Sequence, residues 1–407
     1  MKIDLKKKIG SVFLILVITA IAELLTNVIL GRNLSADIFG RFKFINTIVV
    51  MMSSLLLLGQ NMAIIRVFGK DSFGKYNWKK FISSCLFFSA FIGILVISII
   101  SFYYKFSKEG FFIYIAFISI VGIEYFSSLR RARGSYTYSM FLSKSASIGF
   151  FLIVAVAFYF TKNIGLYLLL FVYTAVIAFS FIASILSVKK FECGKEKVPL
   201  SVVKEGLWLF LITISFTIMV QIDQFFIAKM LNYEKLASYV VIITVTRGYD
   251  LIAAALWFVM MPQYSKDLGR SIKSDSIKAG LIGFLISIFY IFFGGILVHF
   301  LFKGLYDQSL SLLKFFIVIG FCRILYSIPS GIIGGRLSTK HLKFFLATCL
   351  IGIAINIGGN YYLIPIMGLS GSAIATMASW IFRLASAYII IYREKNNIEI
   401  TKDVVLA

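Results

Sequence analysis

The chain has 407 residues, of which 60% are hydrophobic and only 14% are charged, and its mean hydropathy is +0.93. These values exclude an ordinary soluble domain, in which about a quarter of the residues are charged, and they fit a polytopic membrane protein. The net charge of +23 would suggest nucleic-acid binding in a soluble protein. Here most Lys and Arg residues lie between the apolar runs, which fits orientation in a membrane better.

Twelve apolar runs follow one another along the chain, and a membrane-spanning helix needs about 20 mostly apolar residues. The runs are 10–31, 42–66, 81–103, 110–129, 141–161, 164–188, 206–230, 236–262, 279–302, 309–330, 342–364 and 369–392. Because helices satisfy their own backbone in lipid, we predict an all-α polytopic membrane protein with 12 transmembrane helices. The basic linker 189–205 predicts two six-helix bundles, residues 1–195 and 196–407.

The basic residues also predict an orientation. With a cytoplasmic N-terminus, the cytoplasmic segments hold about 28 Lys and Arg and the opposite loops about nine, a bias that sets orientation by the positive-inside rule. We therefore expect both termini in the cytoplasm. The first run is too long for a signal peptide and lacks a small-residue cleavage site, so we expect it to be retained.

The two halves resemble each other after their first helices. The segment "GRNLSADIFGRF" (31–42) aligns with "AKMLNYEKLASY" (228–239) at a constant offset of 197. In this alignment Arg32 corresponds to Lys229, and Asp37 corresponds to Glu234. Six helices per half keep both copies in the same orientation, which predicts a parallel repeat of the kind common in transporters.

Four segments carry a resemblance to a known family. They are "GRNLSADIFGRF" (31–42), "QIDQFFIAKML" (221–231), "MPQYSKDL" (261–268) and "MGLSGSAIATMASW" (367–380). In this order the chain resembles polysaccharide flippases of the MOP superfamily, most closely the Wzx-type O-antigen and capsule flippases. The resemblance implies two bundles around a cavity that opens alternately to each side. It also implies a substrate, an oligosaccharide on undecaprenyl pyrophosphate, that moves from the inner to the outer leaflet.

Arginines within the predicted helices are candidates for binding the anionic pyrophosphate, since a guanidinium stays ionised and binds phosphate oxygens in pairs. A charge at the membrane centre costs on the order of 3 kcal/mol, so it needs compensation or water. The candidates are Arg247, Arg383, Arg323 and Arg66. For each of them an ion pair, or for Arg66 an interfacial anchor, is the simpler structural alternative.

Acidic and amide side chains in the same runs have two interpretations. The carboxylates could couple transport to protons or sodium, or could neutralise the arginines. These candidates are Asp223, Asp250, Glu23 and Glu124. The amides could contact sugars or hold helices together. These candidates are Gln60, Asn61, Gln221, Gln224, Asn356 and Asn360.

Other kinds of site find little support in the sequence. The four cysteines occur singly, and neither they nor the two histidines have a metal-ligand or disulfide spacing, so we predict no metal and no cofactor. The segment "GKDSFGKY" (69–76) nearly matches a P-loop, but Tyr76 replaces the required Ser or Thr.

Two other functions compete with a flippase. A MATE-type exporter of cationic drugs should have a net acidic cavity, whereas here the central arginines match the acids in number. An O-antigen polymerase should have a large outward loop, and no such loop is predicted. We therefore expect a transporter rather than an enzyme. Its partners would be the lipid-linked oligosaccharide, the lipid bilayer, a polymerase and a chain-length regulator, but not nucleic acid.

Overall fold

A computed structural model describes residues 2–68, 75–161, 164–266, 271–336 and 339–405, with the side chains of most of them. Nearly all of this part of the chain is α-helical. The helices are α1 Lys2–Asn33, α2 Ala36–Leu56, α3 Gln60–Phe68, α4 Trp78–Tyr104, α5 Glu109–Ala132, α6 Tyr136–Phe160, α7 Leu166–Val188, α8 Leu200–Met230, α9 Tyr233–Val245, α10 Gly248–Lys266, α11 Ile272–Phe302, α12 Leu313–Arg336, α13 Thr339–Met367 and α14 Leu369–Val405. A short 3₁₀ helix, Asp307–Leu312, precedes α12.

The membrane-spanning character of the helices agrees with the sequence. Within the described residues, ten helices are long and apolar enough to cross a membrane, and α9 with α10 makes an eleventh span if the bent pair is counted as one. Each of the twelve predicted runs corresponds to a helix or a broken pair of helices, the run 206–230 lying in α8. The chain is thus an all-α, multi-pass membrane protein, as predicted.

Large apolar side chains are exposed along the outer helices, where a soluble protein would carry polar ones. On α4, Phe87 is 75% and Phe102 is 90% exposed, and on α11 Phe292 and Phe300 are each at least 70% exposed. Since lipid tails are as apolar as these side chains, their exposure carries no cost in a membrane. The polar residues discussed below lie among the less exposed positions of the spans.

The chain divides into two compact units, Met1–Thr217 and Ile218–Ala407. Unit 1 contains α1 to α7 and the first part of α8, and unit 2 contains the rest. Unit 1 therefore ends inside helix α8, at Thr217. The sequence suggested an earlier boundary, in the linker 189–205. The domain boundary at residues 195 and 196 stays a prediction.

Two spans that the sequence predicted as continuous helices are broken. In unit 1, α2 ends at Leu56, and Leu58 and Gly59 then adopt left-handed backbone conformations, with φ of 47° and 67°. In unit 2, α9 ends at Val245 and α10 begins at Gly248 with a bend of 50°. The lengths of the two apolar runs did not reveal either break, because each run is long enough for one continuous spanning helix.

The break at Gly59 also brings two backbones together. A Cβ atom added to Gly59 would lie only 2.0 Å from the carbonyl oxygen of Gly206 in α8. Gln60, the first residue of α3, is buried there, and its Nε2 donates to the carbonyls of Leu58 and Val203. The first part of α8 is thereby held against the break in α2–α3.

The predicted repeat is visible in the helix caps. Ser35 caps α2 by accepting from the N–H of Ile38, and Asn232 caps α9 by accepting from the N–H of Lys235, at the offset of 197. Further along, Lys105 ends α4 and Lys303 ends α11 in left-handed conformations, at an offset of 198. Caps depend on local backbone geometry, so their agreement supports a shared architecture of the two halves.

Candidate functional site

An ion pair joins α10 to α12 in unit 2. The Nη1 of Arg323 lies 2.7 Å from the Oδ1 of Asp250, and their side chains are 15% and 41% exposed. The Nε of Arg323 is buried and has no hydrogen-bond partner among the described residues. Charged side chains within membrane spans rarely face lipid, so we expect the partly exposed side of the pair to face water. Asp250 thus neutralises an arginine, one of the two roles that its sequence position suggested.

Arg323 and Arg383 alternate with aromatic rings on two neighbouring helices. On α12, Arg323 and Tyr326 are three residues apart, and on α14, Trp380 and Arg383 have the same spacing. The guanidinium carbon of Arg323 lies 5.0 Å from the centre of the Trp380 ring, and that of Arg383 lies 4.9 Å from the centre of the Tyr326 ring. The Tyr326 and Trp380 rings contact each other edge to face at 5.8 Å. Cation–π contacts stabilise both cations away from bulk water.

The two arginines of this cluster differ in access. Arg383 is only 3% exposed. Its guanidinium carbon lies 5.8 Å from the centre of the Phe345 ring of α13, and its Nη1 lies 3.7 Å from the Sδ of Met219. Arg323 reaches the surface of the unit beside Asp250. Arg383 therefore packs inside unit 2, whereas Arg323 is partly exposed beside Asp250.

Arg247 lies within the break between α9 and α10. Its carbonyl accepts the N–H groups of Asp250 and Leu251, so it sits at the position that starts α10. Its side chain is half-buried, close in sequence to the ion pair. The N-terminus of a helix adds partial positive charge at this point. The side chain of Arg66 lies outside the described residues.

Asp223 of α8 is held in a buried polar cluster. Its Oδ2 accepts from the hydroxyl of Tyr239 at 2.6 Å and from that of Thr376 at 3.4 Å, and its Oδ1 accepts from the N–H of Gln224. Asp223 is 2% exposed and Tyr239 is fully buried. These hydrogen bonds offset the cost of burying the carboxyl group, since a buried polar group without a partner is unfavourable.

The asparagines of α13 form a second buried cluster. Asn356 donates to the carbonyl of Met219 at 3.3 Å, Asn360 donates to the Oδ1 of Asn356 at 2.5 Å, and Ser372 of α14 donates to Asn360 at 2.6 Å. All three side chains are fully buried. In this conformation they join α8, α13 and α14, which favours helix association over direct sugar contact.

In unit 1, the two candidate glutamates bind serines of one helix. Ser147 donates to Glu23 of α1 at 2.9 Å, and Ser143 donates to Glu124 of α5 at 2.7 Å. The serines are four residues apart and so lie on one face of α6. Ser127 of α5 joins them at 3.2 Å from Ser143. Hydroxyl groups of α6 thus contact both carboxylates, Glu23 of α1 and Glu124 of α5.

The remaining amide candidates are less uniform. Gln224 is buried and donates to the Oε1 of Gln221 at 2.7 Å on the same helix. Gln60 lies buried at the break in unit 1, and Asn61 beside it is half-buried. The structure thus places Gln60 as a link between α3 and α8, and brings Gln221 and Gln224 together.

Sequence reasoning missed the partners of these residues. The aromatic residues Tyr239, Tyr326 and Trp380 and the serines Ser143 and Ser147 were not singled out as site residues. The spacing of Arg323 with Tyr326 and of Trp380 with Arg383, three residues in each case, is a signal that could have found the aromatic partners. Within the described residues, no three His, Cys, Asp or Glu side chains gather as a metal site would require.

Known structures share this fold. "Lipid II flippase MurJ, inward closed conformation" superposes with a TM-score of 0.71 at 14% identity, covering 93% of this chain and 87% of that one. An inward-facing multidrug resistance MATE family transporter of the MOP superfamily gives 0.67 at 16% identity, covering 93% and 96%. The Vibrio cholerae MATE transporter VcmN gives 0.63 at 11% identity, covering 97% and 96%.

Sequence comparison adds nothing to these structural likenesses. No protein-family model matches the chain, and no curated protein is significantly similar to it in sequence. At identities this low, the superpositions establish the fold alone. The chain has the fold shared by a lipid II flippase and by MATE transporters of the MOP superfamily.

Proposed function

We propose that the chain is a flippase that moves an undecaprenyl-pyrophosphate-linked oligosaccharide from the inner to the outer leaflet of a bacterial cytoplasmic membrane, for O-antigen or capsule synthesis. The observation that carries the proposal is the partly exposed Asp250–Arg323 ion pair on membrane-spanning helices. The fold of a lipid II flippase supports it, since that neighbour is named for a lipid substrate.

The physics of the task explains why such a pair is needed. A sugar hydroxyl moved into hydrocarbon without a partner costs about 4 kcal/mol or more, and an oligosaccharide carries many hydroxyls. The head group therefore needs a wet, polar lumen, while the prenyl tail can stay in lipid. The pyrophosphate needs positive charge within that lumen.

Arg323 has the geometry to supply this charge. Asp250 binds one edge of its guanidinium, and the Trp380 ring covers one face. A planar guanidinium fixed in this way can offer its remaining N–H groups to phosphate oxygens. Arg247, at the start of α10, would add a second cation beside it, and Arg383 would hold Tyr326 in place behind it.

The carboxylates within the spans would couple transport to a proton or sodium gradient. Asp223, Glu23 and Glu124 each accept hydrogen bonds from hydroxyl groups within the spans. Carboxylates at such positions often lie on ion pathways. They are also the observation that favours the second candidate, a MATE-type ion-coupled exporter of cationic drugs, because a cation would be attracted to them.

Reconstitution of the purified protein separates the two candidates. Vesicles would contain a fluorescent undecaprenyl-pyrophosphate oligosaccharide, and an impermeant quencher would report how much of it reaches the outer leaflet. Arg323→Ala should lower flipping at least tenfold, and Arg323→Lys should retain part of it, since an ammonium lacks the paired donors. Arg32→Ala is the matched control and should flip like the wild type.

Two outcomes would contradict the proposal. Extrusion of a cationic dye without any flipping of the labelled lipid would identify an exporter. A fully active Asp250→Leu/Arg323→Leu double variant would reduce the pair to a structural contact. The protein level in the membrane is measured for each variant, because removal of one charge alone can also lower stability.

A further inference from the structure

The linker after α7 is folded onto the start of α4 in unit 1. The N–H of Asn77 donates to the carbonyl of Glu196 at 2.7 Å, the N–H of Glu196 donates to the carbonyl of Lys75, and the indole N–H of Trp78 donates to the carbonyl of Glu192 at 2.7 Å. Trp78 is only 4% exposed. The linker is thus an ordered surface rather than a loose tether.

Phe191 fixes the same linker to the end of α5. Its ring lies 4.7 Å from the guanidinium carbon of Arg130 and 4.3 Å from that of Arg133. Arg130 also covers the ring of Tyr138 and donates to the carbonyl of Ser187. These contacts draw three separate segments of the chain to one place.

The resulting surface, here called the linker platform, consists of residues 75–80, 130–133 and 189–197. It contains ten Lys and Arg residues and two Glu residues. All seven of its lysines are exposed. One of the two glutamates, Glu196, faces Lys75 at 3.6 Å. The platform is therefore a dense and accessible patch of positive charge.

We propose that the linker platform binds the anionic headgroups of phospholipids. It lies where the spanning helices α4, α5 and α7 begin or end, at Trp78, Ala132 and Val188. Lysines at such positions reach the phosphodiester level of the adjacent leaflet, and each attracts anionic lipid. Tyr138, at the same level, is an exposed aromatic side chain of the kind typical of the membrane interface. A patch that bound an acidic protein instead would not need to lie at the ends of membrane-spanning helices.

The proposal does not depend on the transported substrate, and lipid retention tests it directly. The full chain is incorporated into nanodiscs of equal phosphatidylglycerol and phosphatidylcholine, extracted in mild detergent and purified, and the retained lipids are quantified by mass spectrometry. The wild type should retain phosphatidylglycerol preferentially. The variant Lys79→Gln/Lys80→Gln/Lys189→Gln/Lys190→Gln should lower the ratio of the two lipids by about fivefold or more, since each lysine contributes separately.

Three further variants make the result specific. Lys105→Gln/Lys108→Gln/Lys229→Gln/Lys235→Gln removes the same number of exposed lysines from outside the linker platform and should lower the ratio far less, because the dense patch of charge stays intact. Arginine at each of the four platform positions should also keep it, which excludes misfolding as the cause of a loss. Phe191→Ala leaves all ten charges but releases the linker, and it should lower the ratio.

The outcomes that overturn the proposal are equally clear. Equal retention of the two lipids by the wild type would do so, and so would an equal loss in the control variant. Stabilisation of the protein by inorganic phosphate without a lipid preference would assign the patch to free anions. Capture of an acidic protein with no lipid preference would assign it to a protein partner.

Discussion

The second span of each half begins with a matching helix cap, Ser35 in unit 1 and Asn232 in unit 2. The buried polar side chains next to these spans differ between the two halves. In unit 2, Asp223 and Tyr239 form a buried hydrogen bond. At the offset of 197, unit 1 has Thr26 and Phe42, and Thr26 bonds the carbonyl of Ala22 within its own helix. The backbone plan is thus shared, while the buried polar side chains have diverged. Polar residues buried in a membrane are costly, so those that one half has and the other lacks are the better candidates for function.

The intramembrane charges differ in the same way. The candidate glutamates of unit 1 bind serine hydroxyls, whereas Asp250 of unit 2 binds an arginine. Arg323 and Arg383 both lie over aromatic rings. Within the described residues, unit 2 thus holds arginines against a carboxylate and aromatic rings, whereas hydroxyl groups hold the candidate glutamates of unit 1. The four predictions below test this contrast, together with the contrast in how the spans break and end.

The largest effect is expected at the break in unit 1, because Gly59 adopts a left-handed backbone conformation there and residues 246–248 at the break in unit 2 do not. Gly59 has φ of 67° and faces the backbone of Gly206, whereas Thr246 at the other break has φ of −79°. Gly59→Ala should cost about 3 kcal/mol or more, from the left-handed backbone and from overpacking. Gly134→Ala, with φ of 79° and no atom near its Cβ, should cost about 1 kcal/mol. Thermal unfolding in detergent measures both, and equal losses would refute the close contact.

The next largest loss of stability is expected at the ion pair of Glu109, compared with that of Asp307, which lies 198 residues later at the equivalent position. Glu109 is fully buried, with Arg41 at 2.6 Å, while Asp307 pairs with His299 and both are exposed. Arg41→Ala leaves a buried carboxylate without its cation and should cost about 3 kcal/mol. His299→Ala breaks an exposed pair and should cost less than about 1 kcal/mol. Unfolding midpoints that fall equally for the two variants would contradict this difference.

A smaller loss of stability is expected when the buried hydroxyl group of Tyr239 in unit 2 is removed. Tyr239→Phe removes the 2.6 Å donor of Asp223 and should cost about 2 kcal/mol, since the carboxylate stays buried. Asp223→Thr/Tyr239→Phe copies the pair found in unit 1 and should recover most of that stability. If Asp223 carries the coupling ion, the double variant should still fail to transport. Tyr361→Phe, at an exposed tyrosine, is the control. A double variant that transports normally would remove Asp223 from the coupling mechanism.

The smallest effect is expected on α6. Ser143→Ala and Ser147→Ala each remove one hydroxyl donor from a glutamate and should cost about 1 kcal/mol apiece. Ser145→Ala on the same helix removes only a bond to the carbonyl of Leu142 and should be nearly neutral. Unfolding midpoints rank the three variants. A loss for Ser145→Ala as large as for the other two would mean that the glutamates gain nothing from the serines.

Each of these predictions needs a partner that the sequence did not name. The sequence placed Asp223, Asp250, Arg323 and Arg383 inside apolar runs, and that much follows from composition and length. It did not pair Asp250 with Arg323, which lie 73 residues apart, or Asp223 with Tyr239 across the turn between α8 and α9. Such pairs depend on which helices are neighbours and on how each is rotated.

The sequence by itself determined the class of molecule, the number of apolar runs and the repeat of the first loop, because these depend on local composition and on the length needed to cross lipid. The tertiary structure alone decided where spans 2 and 8 break, that α8 belongs partly to each compact unit, and that the linker lies on unit 1. The reason is physical: apolar side chains are interchangeable in lipid, so helix packing is directed by small residues and polar contacts far apart in the chain. Gly59 with Gly206, and Arg323 with Trp380, are contacts of this kind.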